Sequence, residues 1–141
     1  MMSYVEGFIL AVPTANRQAY CRHAELALPV FRDLGALRMV EGWGDDVPRG
    51  KVNDCYGAVQ ARDDETVLFS WLEYPDKATR DAANDRMMND PRMADMPEMP
   101  FDGTRMIWSG FEVLLDVGPG GKPGYVAAVR ELKAALYTEA A

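Results

Sequence analysis

The 141-residue sequence has few of the features that mark several functional classes. It contains one histidine, two cysteines and no block of lysine and arginine, and its formal net charge is −7. A protein that binds the phosphate backbone of a nucleic acid needs a basic face that displaces counterions, so the composition argues against that function. Cys21 and Cys55 have neither metal-ligand nor redox spacing, and we expect reduced thiols.

Long apolar runs and known catalytic motifs are absent as well. No run reaches the roughly 18 residues of a membrane span, and the start MMSYVEGFILAVP lacks the basic region and cleavage site of a signal peptide. We therefore expect a cytoplasmic protein without membrane partners. The sequence has no nucleophile elbow, phosphate-binding loop, dinucleotide fingerprint or zinc motif, and it predicts no metal site and no cofactor.

The single histidine, His23, falls between the apolar positions of a predicted helix. This position favours a partly exposed surface residue over a catalytic base.

Strand-like and helix-like segments alternate along the chain. Strands are predicted over 4–12, 36–43, 67–74 and 105–116, with a further strand-like stretch, 55–61, pairing with 67–74 as a hairpin. A first helix follows Pro13, and a second covers 77–88 behind the N-cap Asp76. Pro29 should kink or split the first helix, and Gly35 should close it.

This order predicts an α+β protein with the ferredoxin-like plan, an antiparallel sheet with two helices on one face. Residues 1–116 form the predicted ferredoxin-like α+β barrel domain. Residues 117–141 are predicted to be a Gly/Pro linker followed by a C-terminal helix over 125–141.

Both sides of the predicted sheet are largely apolar, and two helices cover only one side. Sheets bury a second apolar side by packing face to face. Two covers remain open: another copy of the chain, and the C-terminal helix folded back on its own sheet. We predict the first, a homodimer in which two sheets close a barrel.

One set of alternating strand positions holds all three tryptophans and a glutamate from each strand. Its members include Glu6, Glu41, Glu73 and Glu112, with Trp43, Trp71 and Trp108. We assign this set to the face between the two sheets, where carboxylates on an aromatic wall would form a small-molecule pocket. Glu41 and Glu73 are the candidate catalytic acid or base, and the three tryptophans and Glu112 are candidate ligand contacts. Alternatively, the glutamates reach solvent or neutralise arginines.

The stretch MMNDPRMADMPEMPFDGTRM (87–106) holds six of the nine methionines and three of the nine prolines. Methionine fills irregular gaps, so the stretch is interpreted as a packed connection from the second helix to the last strand rather than a mobile lid. Arg92 and Arg105 are candidate ligand contacts for an anion. The alternative is an Arg–Asp brace that fixes the connection.

Three long segments carry a family resemblance: GALRMVEGWGDDVPRGKV (35–52), VLFSWLEYPDKATRDAANDRMMNDPRM (67–93) and MPFDGTRMIWSGFEVLLD (99–116). They resemble the YbaA-like family of uncharacterised bacterial proteins (domain of unknown function 1428), over about residues 3–116. The resemblance implies a fold similar to the dimeric α+β barrel proteins and supports the homodimer, but it implies no reaction. Two hypotheses remain: a small-molecule-binding or catalytic barrel, and a non-enzymatic homodimer whose inter-sheet face is only a core.

Overall fold

The computed structural model describes residues 3–119, which contain a four-stranded antiparallel sheet in the order β2-β3-β1-β4. The strands are β1 (Tyr4–Pro13), β2 (Arg38–Trp43), β3 (Glu65–Tyr74) and β4 (Ile107–Glu112). The helices are α1 (Arg17–Asp33), α2 (Cys55–Ala58), α3 (Lys77–Met87) and α4 (Pro91–Ala94), with short 3-10 turns at Thr14–Asn16 and Gly103–Arg105. This topology confirms the ferredoxin-like α+β fold.

Local residues account for the start of α3 and the end of α1. Asp76 accepts a hydrogen bond from the backbone N–H of Thr79 at 2.7 Å and caps α3, as predicted. Gly35 follows α1 with φ of 113°, a left-handed conformation that favours glycine. Pro29 does not split α1, which is continuous to Asp33. Ala27 and Val30, which lie before and after the proline in the sequence, are both buried, so the helix is packed on either side of it.

The predicted strand over 55–61 is wrong, and with it the hairpin. Asp54 caps α2 instead, its Oδ1 accepting from the N–H of Gly57 at 2.7 Å. Within this stretch Val59 is buried with Ala11 and Val67. A buried side chain after a single helical turn produces the same short apolar pattern as a strand, so periodicity alone did not separate the two.

Strand pairing shows which side chains share a face. Phe8 lies opposite Ser70 on β3 and opposite Trp108 on β4, and Glu41 also lies opposite Ser70. Partners in a pair point to the same side. These residues, with Glu6, therefore face the helices. Trp71 and Glu73 occupy the alternate positions of β3 and face the other side.

The predicted aromatic–glutamate face between two sheets is therefore wrong in two respects. The β3 residues Trp71 and Glu73 are separated from Glu41 and Trp108, and the latter pair lies on the side that the helices cover. A shift of one residue in register moves every side chain to the opposite face. The alternation within one strand gives no information on its phase relative to its neighbours.

The second side of the sheet lies away from α1 and α3, is called here the helix-free face, and is only partly covered. Its end near Val67 packs under Val59. Towards the other end Phe69 and Phe111 are 56% and 57% exposed. The C-terminal helix predicted over 125–141 lies outside the described residues, so the structure does not test it as a cover. Among residues 3–119, no helix has the length and apolarity to cross a lipid bilayer.

Candidate functional site

A cavity of about 330 Å³ lies between the helix-covered side of the sheet, the helices α1 and α3, and the connection 88–106. Its wall is mostly apolar and includes the aromatic rings of Phe8, Phe31, Phe101 and Trp108. Six methionines complete the wall: Met39, Met87, Met88, Met93, Met99 and Met106. Its volume lies in the range of small-molecule sites, roughly 300–1,000 Å³.

Glu41 and Tyr20 form a polar contact in this wall. The Tyr20 hydroxyl donates to Oε2 of Glu41 at 2.7 Å, which joins α1 to the edge strand β2. Burial raises the pKa of Tyr20 above its ordinary value, so the phenol stays protonated and remains a donor. Burial also raises the pKa of Glu41, while the hydrogen bonds from Tyr20 and Ser70 oppose that shift. Glu41 as a whole is nevertheless an exposed residue on the edge strand β2, so the burial of its carboxylate is only partial.

Glu6 is the second carboxylate in the cavity wall and is 3% exposed. Asn84 Nδ2 donates to its Oε1 at 3.1 Å, and Arg80 Nη1 lies 3.9 Å from the same oxygen. Arg80 also donates to the hydroxyl of Tyr4 at 2.7 Å. Burial raises the pKa of Glu6, and Asn84 and Arg80 act against it. Glu6 is thus held in a network that contains its own cation.

His23 is partly exposed, as the sequence indicated, and it lies on the cavity side of α1. Its ring packs edge-on against Phe101 at a centroid distance of 6.0 Å, and burial lowers its pKa. Phe101 comes from a connection that Asn16 anchors by donating to the carbonyl of Pro100 at 2.9 Å. The spacing of apolar residues around His23 could not predict this contact, because Phe101 lies 78 residues further along the chain.

Three of the predicted site residues contribute to the cavity wall, and the others do not. Glu41 and Trp108 line the cavity. Trp71 borders it, but its indole N–H donates to Glu73 at 2.9 Å on the helix-free face. The others lie elsewhere: Glu73 is 3.7 Å from Arg38, Trp43 packs beneath the guanidinium of Arg17, and Glu112 ends β4 opposite Tyr4.

Arg92 and Arg105 form ion pairs that brace the connection and do not line the cavity. Arg92 lies 2.6 Å from Asp33 and 2.9 Å from Asp90. Arg105 makes a two-pronged contact with Glu65, at 2.7 and 2.6 Å, and a third contact with Asp102 at 3.0 Å. The geometry therefore matches the Arg–Asp brace that was the alternative to a ligand contact.

Four polar cavity residues were not predicted as site residues: Tyr20, His23, Ser70 and Asn84. Tyr20 and His23 are three positions apart on α1, a spacing that places two side chains on one side of a helix. That signal was present in the sequence. Ser70 and Asn84 gave none, because their placement depends on strand register and helix packing. Among residues 3–119, no group of three or more His, Cys, Asp and Glu side chains is arranged to hold a metal ion.

Comparison with known proteins places the fold in context. The family described as protein of unknown function (DUF1428) matches residues 3–103. The uncharacterized protein YbaA of Escherichia coli K12 is 55% identical over 116 residues, covering 82% of this chain and 99% of that protein, and YbaA of Shigella flexneri matches equally. A solved dimeric ferredoxin-like protein from an uncultured marine organism aligns with a TM-score of 0.52 at 12% identity, covering 83% of this chain and 100% of the other. That likeness concerns the fold alone.

Proposed function

The chain belongs to the DUF1428 family of proteins of unknown function, and we propose that it binds an apolar small molecule in the cavity between its sheet and helices α1 and α3. The observation that supports this most is the cavity itself, an apolar space into which Glu41, Tyr20 and His23 converge. Small-molecule sites have this composition, with a few polar groups that orient the ligand.

The size and composition of the cavity support a binding site. It is a cleft of about 330 Å³ that is partly open to the surface, and its wall is mostly apolar. Clefts of this size and composition are typical of small-molecule sites. Methionine side chains have three rotatable bonds and adapt to irregular shapes, so this wall suits a molecule that enters and leaves.

We also propose that the protein is a homodimer, and the helix-free face of the sheet supports this. Phe69, Phe111 and Ile107 leave large apolar surfaces exposed on one side of a sheet. Sheets of this kind bury such a side against another sheet, and a second copy of the chain offers the same surface around a twofold axis. The solved ferredoxin-like relative in fold is described as dimeric, which agrees with this arrangement.

A substitution on that face tests the homodimer. Phe69→Glu places a charge at its centre and should shift the protein from dimer to monomer in analytical ultracentrifugation. Leu26→Glu replaces a similarly exposed apolar residue on α1 and should leave the dimer intact. A wild-type protein that sediments as a monomer at micromolar concentration would remove this part of the proposal.

Ligand binding is tested with neutral apolar fluorescent probes such as N-phenyl-1-naphthylamine. The wild type should enhance the probe's fluorescence saturably. Ala24→Phe fills the cavity from α1 and should abolish the enhancement, whereas Ala78→Phe adds the same ring at an exposed position of α3 and should not. If no probe binds, or if Ala24→Phe binds as the wild type does, the small-molecule function is rejected. A homodimer without a ligand would then be the better account.

A further inference from the structure

We propose that the natural ligand of this cavity is an organic amine with an apolar body, and that its ammonium group pairs with the carboxylate of Glu41. This inference rests on the proposed small-molecule function and specifies its ligand class. Two properties of the wall support it: the balance of charge among the lining residues, and the difference between its two glutamates.

The cavity wall is acidic. Its lining residues in the described part of the chain include Glu6 and Glu41 but no lysine or arginine. The candidate arginines for an anion, Arg92 and Arg105, are held in ion pairs outside it. A carboxylate or phosphate ligand would meet two acids and no free cation, which disfavours an anion by charge repulsion.

The two glutamates differ in how their charge is balanced. Glu6 has Arg80 and Asn84 beside it and is almost completely buried. Among residues 3–119, Glu41 receives hydrogen bonds only from the neutral hydroxyls of Tyr20 and Ser70, and no cation contributes to its electrostatics. A partly desolvated carboxylate without a counter-ion gains most when a ligand supplies the cation. Glu41 also retains the accessible surface that a ligand needs to reach it.

The apolar wall suits a cation with a hydrocarbon or aromatic body. Phe8 and Trp108 lie side by side on adjacent strands, and both line the cavity. Aromatic faces also attract cations, most strongly where water is excluded. Methionine sulfur is polarizable and adds favourable contact with aromatic rings. The ammonium at Glu41 and the body against these rings would fill both parts of the site.

Protonation should control this pairing. Burial keeps the pKa of Glu41 above its ordinary value of 4.5, so amine affinity should fall as the pH drops through that raised pKa. The other titratable groups in the wall are Tyr20 and His23 on α1 and Glu6 on β1. Tyr20 stays protonated, and the lowered pKa of His23 keeps its ring neutral around pH 7. Glu6 has a raised pKa as well, but Arg80 balances its charge.

Three ligands with the same ring system test the inference by isothermal titration calorimetry at pH 7: 1-naphthylmethylamine, 1-naphthylmethanol and 1-naphthoic acid. The amine should bind at least about tenfold more tightly than the alcohol, equal to about 1.4 kcal/mol, and the acid should bind most weakly. Glu41→Gln keeps an acceptor for Tyr20 and should reduce amine affinity to that of the alcohol without changing the alcohol's. Glu73→Gln, on the opposite face, should change neither.

The outcomes separate the two proposals. Equal affinity for amine and alcohol, or tightest binding of the acid, would overturn the amine inference and leave the small-molecule function standing. Binding of none of the three, together with no binding of the neutral probes, would overturn both. If Glu41→Gln fails to fold, the wild type decides alone: a preference for the amine that does not weaken between pH 7 and pH 4.5 rules out pairing with Glu41.

Discussion

The hydroxyl oxygen of Tyr20 lies 2.7 Å from Oε2 of Glu41, and this contact spans the gap between α1 and the edge strand β2. Tyr20 belongs to a buried cluster with Leu10 and Leu68, so the donor is fixed by the core. Glu41 is on the accessible edge of the sheet. The pair therefore joins a rigid part of the molecule to a group that a ligand can reach.

Removing the donor measures how much this contact contributes. Tyr20→Phe leaves the Glu41 carboxylate without its phenol, and the unfolding free energy at pH 7 should fall by about 1.5–3 kcal/mol, as for other hydrogen bonds to charged groups. The pKa of Glu41 should rise further, since the hydrogen bond from Tyr20 lowers it. Urea denaturation measures the first effect and carboxyl ¹³C NMR the second.

Tyr56→Phe is the matched control for that experiment. Tyr56 packs its ring against the guanidinium of Arg49 at 3.9 Å, a contact that phenylalanine retains. Its unfolding free energy should change much less. Equal stability of the Tyr20→Phe variant and the wild type at pH 7 would contradict the role given to the hydroxyl.

The raised pKa of Glu41 predicts the sign of a pH dependence. Between the ordinary value of 4.5 and the raised value in the folded state, the folded protein binds more protons at this site than the unfolded chain. The unfolding free energy contributed by Glu41 therefore falls as the pH rises through this window. The difference in stability between Glu41→Gln and the wild type should grow in favour of the variant from pH 4.5 to 7. A difference that is constant over this range would show that the pKa of Glu41 is not raised.

The two arginines of the 88–106 connection should differ strongly in their effect on stability. Arg105 and Glu65 form a buried two-pronged pair, with side-chain exposures of 13% and 3%, and removing one partner of such a pair costs about 3–5 kcal/mol. Arg92 and Asp33 are exposed, where pairs contribute about 0–1 kcal/mol. Arg105→Met should thus destabilise the protein far more than Arg92→Met in urea denaturation. Similar losses in both variants would be inconsistent with this assignment.

The same buried pair should make the protein acid-sensitive. The hydrogen bonds from Arg105 lower the pKa of Glu65 below its ordinary value of 4.5. The stability that depends on its charge is present above pH 4.5 and is lost as the pH falls through the lowered pKa.

Glu65→Gln in the Arg105→Met background removes the unpaired carboxylate and should recover part of the stability at pH 7.

Gly35 should not tolerate a side chain. Its φ of 113° is a conformation that other residues rarely adopt, and a Cβ placed there would lie 2.5 Å from Cγ2 of Thr79. Strain of this kind costs about 1–3 kcal/mol. Gly35→Ala should lower the thermal midpoint, whereas Gly118→Ala, with no atom within 4 Å of its added Cβ, should not. A Gly35→Ala protein that melts at the wild-type temperature would show that the loop relaxes without cost.

Local chemistry made much of the fold predictable from the sequence. Asp76 and Gly35 marked helix boundaries that the structure confirms, and the four strands predicted at 4–12, 36–43, 67–74 and 105–116 are all present. The register between strands did not follow from the sequence, because alternation within β3 does not fix its phase relative to β1. The candidate site was affected most by this. Glu41 and Trp108 line the cavity, but the sequence analysis placed them on the other side of the sheet.

Ion pairs near the two ends of the 88–106 connection hold it in place, while residues between them shape the cavity wall. Arg92 ties the start to the end of α1, and Arg105 ties the finish to the first residue of β3. Between these two anchors, methionines from the connection line the cavity. Substitutions among them should therefore alter which molecules fit while the sheet stays unchanged. The proposed ligand preference could thus change through these side chains without a change in the fold.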